Sequence, residues 1–337
     1  MQMKAKPSVA VVGGMNIDIQ GKSFLPFRVG DSNPGSLDLV PGGVGRNIAE
    51  NLARLGASIQ LVTVLGDDDL SSILESSCAS VGIGLEGALK LKDSPASRYL
   101  CLLDSDGSLA GAIAAMDSID SLVPERLEER STLLDAMDLI IVDANVPESS
   151  IKWLAERYPR EGKGGPLLGF DPVSVKKAER GKAYLGSFAF AKPNRTEAAI
   201  LADIAGTRSD ETPNLSPDAL SSALRAKGLG EAFVSLGIEG LWAEGGGPDG
   251  RSRERWIARL PEHCPDGLEM VSSSGAGDAA CAAIAWGLLR GLGLGERCSL
   301  ALAAAMLAAA SESPVNPAMS AERLIELAKG IERERIS

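Results

Sequence analysis

A chain of 337 residues, 45% apolar and 23% charged, is long enough for one large α/β unit and apolar enough to build a sizeable core. Its formal net charge of −11 argues against nucleic acid or an anionic membrane as partner, while a small anion can still bind in a local positive pocket. No stretch reaches the ~18 consecutive apolar residues of a membrane span, and five scattered cysteines without a C-x-x-C pair suit reduced thiols in a cytoplasmic protein.

The first regular element is "SVAVVGG" (8–14), a continuous apolar run ending in glycine, as expected of a strand buried on both faces. Asn16 and Asp18 follow, alternating with Met15 and Ile17, so a period of two puts both polar side chains on one side. Residues 44–55 carry Ile48, Leu52 and Leu55 at helical spacing and stop at Gly56. "SIQLVTVLG" reads as a strand, and a helix bearing Leu70, Ile73, Leu74 and Val81 starts near Asp67–Asp69 and closes at Gly82. Strands follow at "DLIIVDA", "PLLGFDP" and "SFAFAKP", with helices around "ESSIKWLAERY" and from Arg195. This alternation predicts a mostly parallel sheet covered on both faces. The Ala-rich run 299–310 reads as a buried helix, and 206–217 and 244–255 read as loops.

Two segments interrupt the rhythm. Residues 20–43 are rich in Gly, Pro and polar side chains, and 96–115 holds Asp106-Gly107 between two apolar runs, a hairpin signal. They are either surface excursions or a small β-sheet over the mouth of a site. With no repeat and no clear linker, the expectation is one domain, 1–337, with lid segments at 20–43 and 96–115.

Four stretches could carry chemistry. In "SSSGAGDAACAAIAWGLLRG" (272–291) the free N–H groups of Gly275, Ala276 and Gly277 could hold an anion at a helix start, and Asp278 could accept a hydroxyl proton. The plainer reading is a helix start rich in small residues. In "PGGVGRNIAENLARLG" (41–56), Gly42-Gly43 allows close backbone approach to a ligand, and Asn47 offers the donor and acceptor that a sugar diol needs. That stretch is equally a Gly turn before an amphipathic helix. Asp18 could accept bonds from vicinal hydroxyls, or lie in a solvated loop. In "AKPNRTE" (191–197), Asn194 and Glu197 have the spacing of a capping box. Alternatively, Glu197 could orient waters around Mg²⁺ beside nucleotide phosphates.

None decides alone, but their order along the chain resembles the ribokinase-like (PfkB) family of carbohydrate and nucleoside kinases. The early Gly-Gly…Asn continues with Gly56 and Gly66 where that family's first signature expects glycines, and Ser272–Ala285 fits the second signature. The resemblance spans nearly the whole chain. It implies a three-layer α/β/α sandwich with a mostly parallel central sheet and a small β-sheet lid. It also implies ATP and Mg²⁺ as cofactors and Asp278 as catalytic base, with Gly275, Ala276 and Gly277 as its anion hole. Asn16, Asp18, Gly42, Gly43 and Asn47 resemble sugar-binding positions, with Arg46 beside them, and Ser97, Arg98 and Tyr99 of the lid are further candidates for the base side. Asn194 and Glu197 resemble the Mg²⁺–phosphate element, Glu197 acting through water. "SLGIEG" (235–240) resembles the nucleotide-bordering turn, with Ser235 and Gly237 at contact points. A homodimer through the lid and a monovalent cation such as K⁺ are further family features, but Ser272 stands where ribokinase has an Asp at the start of the late motif. Val44 and Arg46 replace the Lys and Ala of ribokinase's early run. "SNPG…PGGVGRNIAENLARLG" and "SESPVNPAMS" (311–320) are more similar to the family's pseudouridine kinases than to ribokinases or fructokinases. The implied reaction is transfer of phosphate from ATP to the 5′-hydroxyl of pseudouridine. A kinase for another nucleoside or a free pentose is the alternative, and a sensor without catalysis a further one.

Overall fold

The computed structural model describes residues 6–161, 164–204, 215–246, 253–261 and 268–336. Its centre is β1 (Ser8–Val12), in which Val9 to Val12 have no solvent exposure. β1 pairs in parallel with β4 (Ser58–Val62) on one side and β10 (Leu139–Asp143) on the other. β6 (Ile83–Gly84) extends the sheet beyond β4. In the other direction β11 (Leu167–Asp171), β12 (Phe190–Ala191) and β13 (Glu231–Ser235) continue it, all parallel. Three antiparallel strands then finish that edge: β14 (Leu241–Gly246), β15 (Arg253–Ala258) and β16 (Arg333–Ile336). Among the described residues ten strands therefore make one sheet, in the order 16-15-14-13-12-11-10-1-4-6. Apolar clusters fill both faces, which is why its strands read as unbroken hydrophobic runs.

A separate four-stranded sheet joins β2 (Asn16–Ser23), β3 (Gly35–Gly42), β8 (Arg98–Leu103) and β9 (Leu109–Ala115) in the order 3-2-8-9. The Asp106-Gly107 turn joins β8 to β9, with Gly107 at φ 86°. The short strands β5 (Val64–Leu65) and β7 (Leu89–Lys90) pair with each other. Helices pack on both sides of the large sheet, giving the three-layer α/β/α arrangement.

The helix Ala276–Leu289 is apolar all round and buried from Ala279 to Gly287, as a helix sandwiched between other elements must be. Its alanines let it lie close against the helices Val44–Arg54 and Leu294–Ala309. The Ala-rich run is buried, as expected. Two expectations need correction. Residues 244–246 and 253–255, read as loop, lie in β14 and β15, because Glu244 is held inside by Ser221, Trp242's neighbour, and by Arg253. Ile73 is exposed, since the Asp69–Ser80 helix turns Leu74 rather than Ile73 to the core. Cys78, Cys101, Cys281 and Cys298 are free and buried. Cys264 and most of the 206–217 loop lie outside the described residues.

Candidate active site

In a parallel sheet the ligand crevice opens at the carboxyl ends of the strands, where the connections leave in opposite directions. Here that point lies between β1 and β10, whose chains continue to β4 and β11 on opposite sides. Gly14 N–H donates to Asp143 Oδ2 at 2.9 Å, and Asn145 N–H donates to Asp143 Oδ1 at 2.8 Å. A Cβ on Gly13 would stand 2.3 Å from that carboxylate, so only glycine fits. Burial pushes Asp143 up to about 6, against the two N–H donors. One strand further, Asp171 accepts from Val173 N–H at 2.9 Å, while its Oδ2 is buried without a hydrogen-bond partner, 3.7 Å from Lys192 Nζ.

The helix Ala276–Leu289 starts at Gly275, at φ 74°, with no side-chain cap; Ala276 N–H makes only a long bond, 3.4 Å, to Ser273 O, so the N–H groups of the first turn can turn to an anion. Gly275 is obligatory twice over: its conformation disfavours a side chain, and a Cβ would lie 1.8 Å from the Pro314 carbonyl oxygen. Asp278, half-buried in the helix's first turn, accepts a hydrogen bond from Asn47 Nδ2 at 2.9 Å. Burial, reinforced by Asp171 and Asp143 and opposed by Asn47 and Lys192, pushes the Asp278 carboxyl up to about 7.

Residues 16–18 and 42–47 meet because β2 pairs antiparallel with β3, with Asn16 opposite Gly42. Asn16 Nδ2 donates to Asp18 Oδ1 at 2.7 Å, so the two side chains share a face. Gly42 is needed there, since a Cβ would come within 2.3 Å of Asp18 Oδ2. Gly43, at φ 97°, makes the turn into the helix. Burial raises the Asp18 pKa, against Asn16 and Arg46.

The Arg46 side chain is buried, and its guanidinium is engaged with protein groups. Its guanidinium donates to Pro41 O at 3.0 Å, Asn47 Oδ1 at 3.3 Å and Ser77 Oγ at 2.9 Å, and pairs with Glu50. It braces Asn47, which in turn holds Asp278. The Arg98 guanidinium is likewise engaged, paired with Asp68. Ser97 immediately precedes β8, and Tyr99 lies in β8 in register with Asp18.

On the other side of the helix start lies a cavity of about 660 Å³. It brings together Lys192, Asn194, Ser235, Gly237, Ala276 and Gly277, which lie far apart in sequence. Asn194 and Glu197 form the capping box: Asn194 Oδ1 accepts from Glu197 N–H, and Glu197 Oε2 accepts from Asn194 N–H, each at 2.9 Å. Burial raises the Glu197 pKa, against Lys192 and the Asn194 N–H. β13 hands its chain to the Gly237–Glu239 turn at the cavity rim, with Gly237 at φ 63°. Ser272 Oγ accepts from Ser274 N–H at 3.1 Å.

Sequence reasoning missed Lys192. It is the one basic side chain among the described cavity-lining residues. A Cβ on Gly277 would lie 2.9 Å from its Nζ, so its ammonium faces the helix start. Burial alone would depress its pKa, yet Asp171, Glu197 and Asp278 hold it above the usual lysine range. The signal was a lysine ending a fully apolar strand, as Asp143 and Asp171 end theirs.

The model of the pfkB family carbohydrate kinases matches residues 6–321. The pseudouridine kinase of Escherichia coli is 29% identical over 330 residues, covering 98% of this chain and 99% of that protein. Among solved structures, a carbohydrate kinase from Agrobacterium tumefaciens superposes with a TM-score of 0.80 at 26% identity, over 98% of this chain and 100% of the other. Arabidopsis thaliana ribokinase, complexed with ribose and ATP, has a TM-score of 0.75 at 21% identity over 96% and 99% of the two chains, a likeness of fold.

Proposed function

The chain belongs to the pfkB family of carbohydrate kinases, and from that premise we propose that it transfers the γ-phosphoryl group of ATP to the 5′-hydroxyl of pseudouridine, with Asp278 as general base. One observation carries the chemistry. A carboxylate with a pKa of about 7 stands at the uncapped start of a helix, between a polar crevice on one side and a nucleotide-sized cavity on the other. The full-length similarity to a pseudouridine kinase supports the substrate.

In this reading Asn16, Asp18 and Asn47 bind the ribose hydroxyls, with Gly42 and Gly43 allowing close approach. The triphosphate lies along Asn194, Ser235 and Gly237, and its γ-phosphoryl group meets the N–H groups of Gly275, Ala276 and Gly277. The 5′-oxygen forms the new bond to phosphorus as the bond to the bridging oxygen of ADP breaks, and the alcohol proton passes to Asp278. Lys192 neutralises charge on the moving group. Arg46 acts only through Asn47.

Glu197 and the unpartnered Asp171 Oδ2 fit the water shell of a magnesium ion. Among the described residues no cluster of three carboxylate, histidine or cysteine side chains could hold a metal directly. The bound ion would add positive charge beside the phosphates. A K⁺ requirement belongs to the same reading, though Ser272 supplies no carboxylate. So does a homodimer through the small sheet, whose Leu37, Leu39 and Ile113 are exposed.

The test is ADP release over a panel of pseudouridine, uridine, cytidine, adenosine, inosine and ribose at one ATP concentration. The highest kcat/KM is expected for pseudouridine. Ribose or adenosine as best substrate would overturn the substrate and leave the kinase assignment standing. Silence toward every alcohol would favour a sensor.

A further inference from the structure

Resting on the nucleoside-kinase reading, we propose that a second cavity, between the small sheet and the Lys176–Arg180 segment, holds the base, with Asp117, Asp120 and Lys177 selecting a pyrimidine that carries an extra ring N–H. This cavity measures about 360 Å³ and is lined by Gly14, Met15, Ser97, Asn145 and these three residues, among others. It adjoins the reacting centre. Gly14 and Asn145 both donate to Asp143, whose charge bears on Asp278 and on Lys177. Met15 precedes Asn16, and Ser97 O accepts from Ile17 N–H at 3.0 Å, so the cavity begins where the sugar positions end.

The two polar walls are complementary. On one, Lys177 Nζ donates to Asn145 Oδ1 at 2.5 Å and keeps two protons for a ligand. Arg180 beside it is committed, donating to the carbonyls of Ala144, Asn145 and Val146 at 2.8–3.1 Å. On the other wall, the turn Asp117–Ser121 presents Asp117 and Asp120. Ser118 Oγ bonds Ser97 Oγ at 2.7 Å, which pins that turn to the small sheet. Among the described residues neither carboxylate makes a side-chain hydrogen bond, so both are uncommitted acceptors on an anchored turn. Val64, Met116 and Ile119 offer apolar surface for a ring face.

A uracil ring alternates carbonyl acceptors with N–H donors around its edge. Lys177 suits a carbonyl, and a carboxylate suits a ring N–H. A C-linked uracil nucleoside presents an N–H where an N-linked one has C–H. With the N-linked ring the carboxylate meets no donor, and a site built for a hydrogen bond discriminates strongly against a ligand lacking it. Free ribose would leave the cavity unused.

The experiment is steady-state kinetics of the full chain carrying Asp117→Ala and Asp120→Ala together, both at exposed positions where folding should survive. Expected is a fall of about 10–100-fold in kcat/KM for pseudouridine, with uridine changed by less than about threefold. Ribose turnover and the ATP KM should stay put. Lys177→Met should weaken both uracil nucleosides and spare ribose. Two results overturn the pocket: no change in the pseudouridine-to-uridine ratio, or an equal fall for nucleosides and ribose. If the unmodified enzyme prefers ribose or a phosphorylated sugar to every nucleoside, the nucleoside reading fails and the base pocket with it. If it prefers nucleosides and ignores these substitutions, the pocket alone fails.

Discussion

Asp278→Asn should sharply slow turnover and stabilise the protein, a pairing that follows from the surroundings of the carboxylate. The substitution keeps shape, and the new amide oxygen can still accept from Asn47. What disappears is a charge that burial, Asp171 and Asp143 all disfavour. Raising this carboxyl from 3.8 to about 7 corresponds to a ceiling of about 4 kcal/mol. Asp278 is only half-buried, and solvent screening reduces this to about 1–2 kcal/mol. The sign follows from linkage. Below the unfolded value both states are protonated and nothing is lost; as pH rises from about 4 to about 7 the folded state increasingly resists ionisation, and above that the penalty is complete. The variant should therefore melt roughly 1–3 °C higher than the parent at pH 8, a gap that closes toward pH 4. Loss of the base should cost about 10²–10⁴ in kcat. Calorimetric titration with pseudouridine should give nearly unchanged affinity, and kcat/KM of the parent should fall as pH drops below about 7. A folded variant with near-parental kcat, or one less stable at pH 8, would refute the reasoning.

Asp18→Ala should raise the nucleoside KM by about 5–150-fold, the equivalent of 1–3 kcal/mol, and leave the ATP KM alone; equal weakening of both would point to misfolding. Lys192→Met leaves Asp171, Glu197 and Asp278 without their cation, so Tm should drop and the acid limb of kcat/KM should move to higher pH. An unmoved limb would separate Lys192 from Asp278. Arg46→Met frees the Asn47 side chain, and kcat should fall more than the nucleoside KM rises, with Arg46→Lys restoring little because it cannot reach all of its partners. If the lid face makes a dimer, Leu39→Asp with Ile113→Asp should give a monomer by light scattering, and an unchanged mass would dismiss that interface.

Much of this architecture was legible in the sequence, for physical reasons. β1, β10 and β11 are buried on both faces, so their apolar runs are unbroken, and each ends on the polar or glycine residues that build the crevice. Gly275, Gly42 and Gly43 were legible because their roles are local to a helix start, a strand pairing and a turn. Long-range partners were not. Nothing in "AKPNRTE" says that Lys192 faces Gly277 rather than solvent, and nothing around Arg46 says that Ser77 joins its i+4 partner Glu50 in claiming its guanidinium. Residues 244–246 and 253–255 looked like loop because their glycines and charges belong to two paired strands whose polar groups satisfy one another, Glu244 with Arg253 and Ser221. The capping box of Asn194 and Glu197 also formed as its spacing said, which does not compete with a phosphate role. Capping uses one Glu197 oxygen and holds the other in a defined direction.

The arrangement raises a question of charge. Asp171, Glu197 and Asp278 surround one lysine, with Asp143 bearing on Asp278, in a protein that is already strongly anionic, and in the proposed reaction a triphosphate must enter beside them. A fully ionised cluster would repel it. The raised affinity of Asp143 and Asp278 for protons relieves part of that repulsion near neutrality, and the helix start and Lys192 supply attraction where the terminal phosphate would sit. The same crowding serves the reaction. An ordinary aspartate, ionised and well solvated, holds a proton too weakly to take one from an alcohol; one that burial, reinforced by Asp171 and Asp143, pushes to about 7 sits near the optimum for a base at working pH. The incoming phosphates add further negative charge next to Asp278 and strengthen its hold on a proton when the alcohol must release one. In the proposed mechanism, burial together with the carboxylates that look unfavourable for binding ATP would make Asp278 a base, and Lys192 would keep that effect within the range where the nucleotide can still bind.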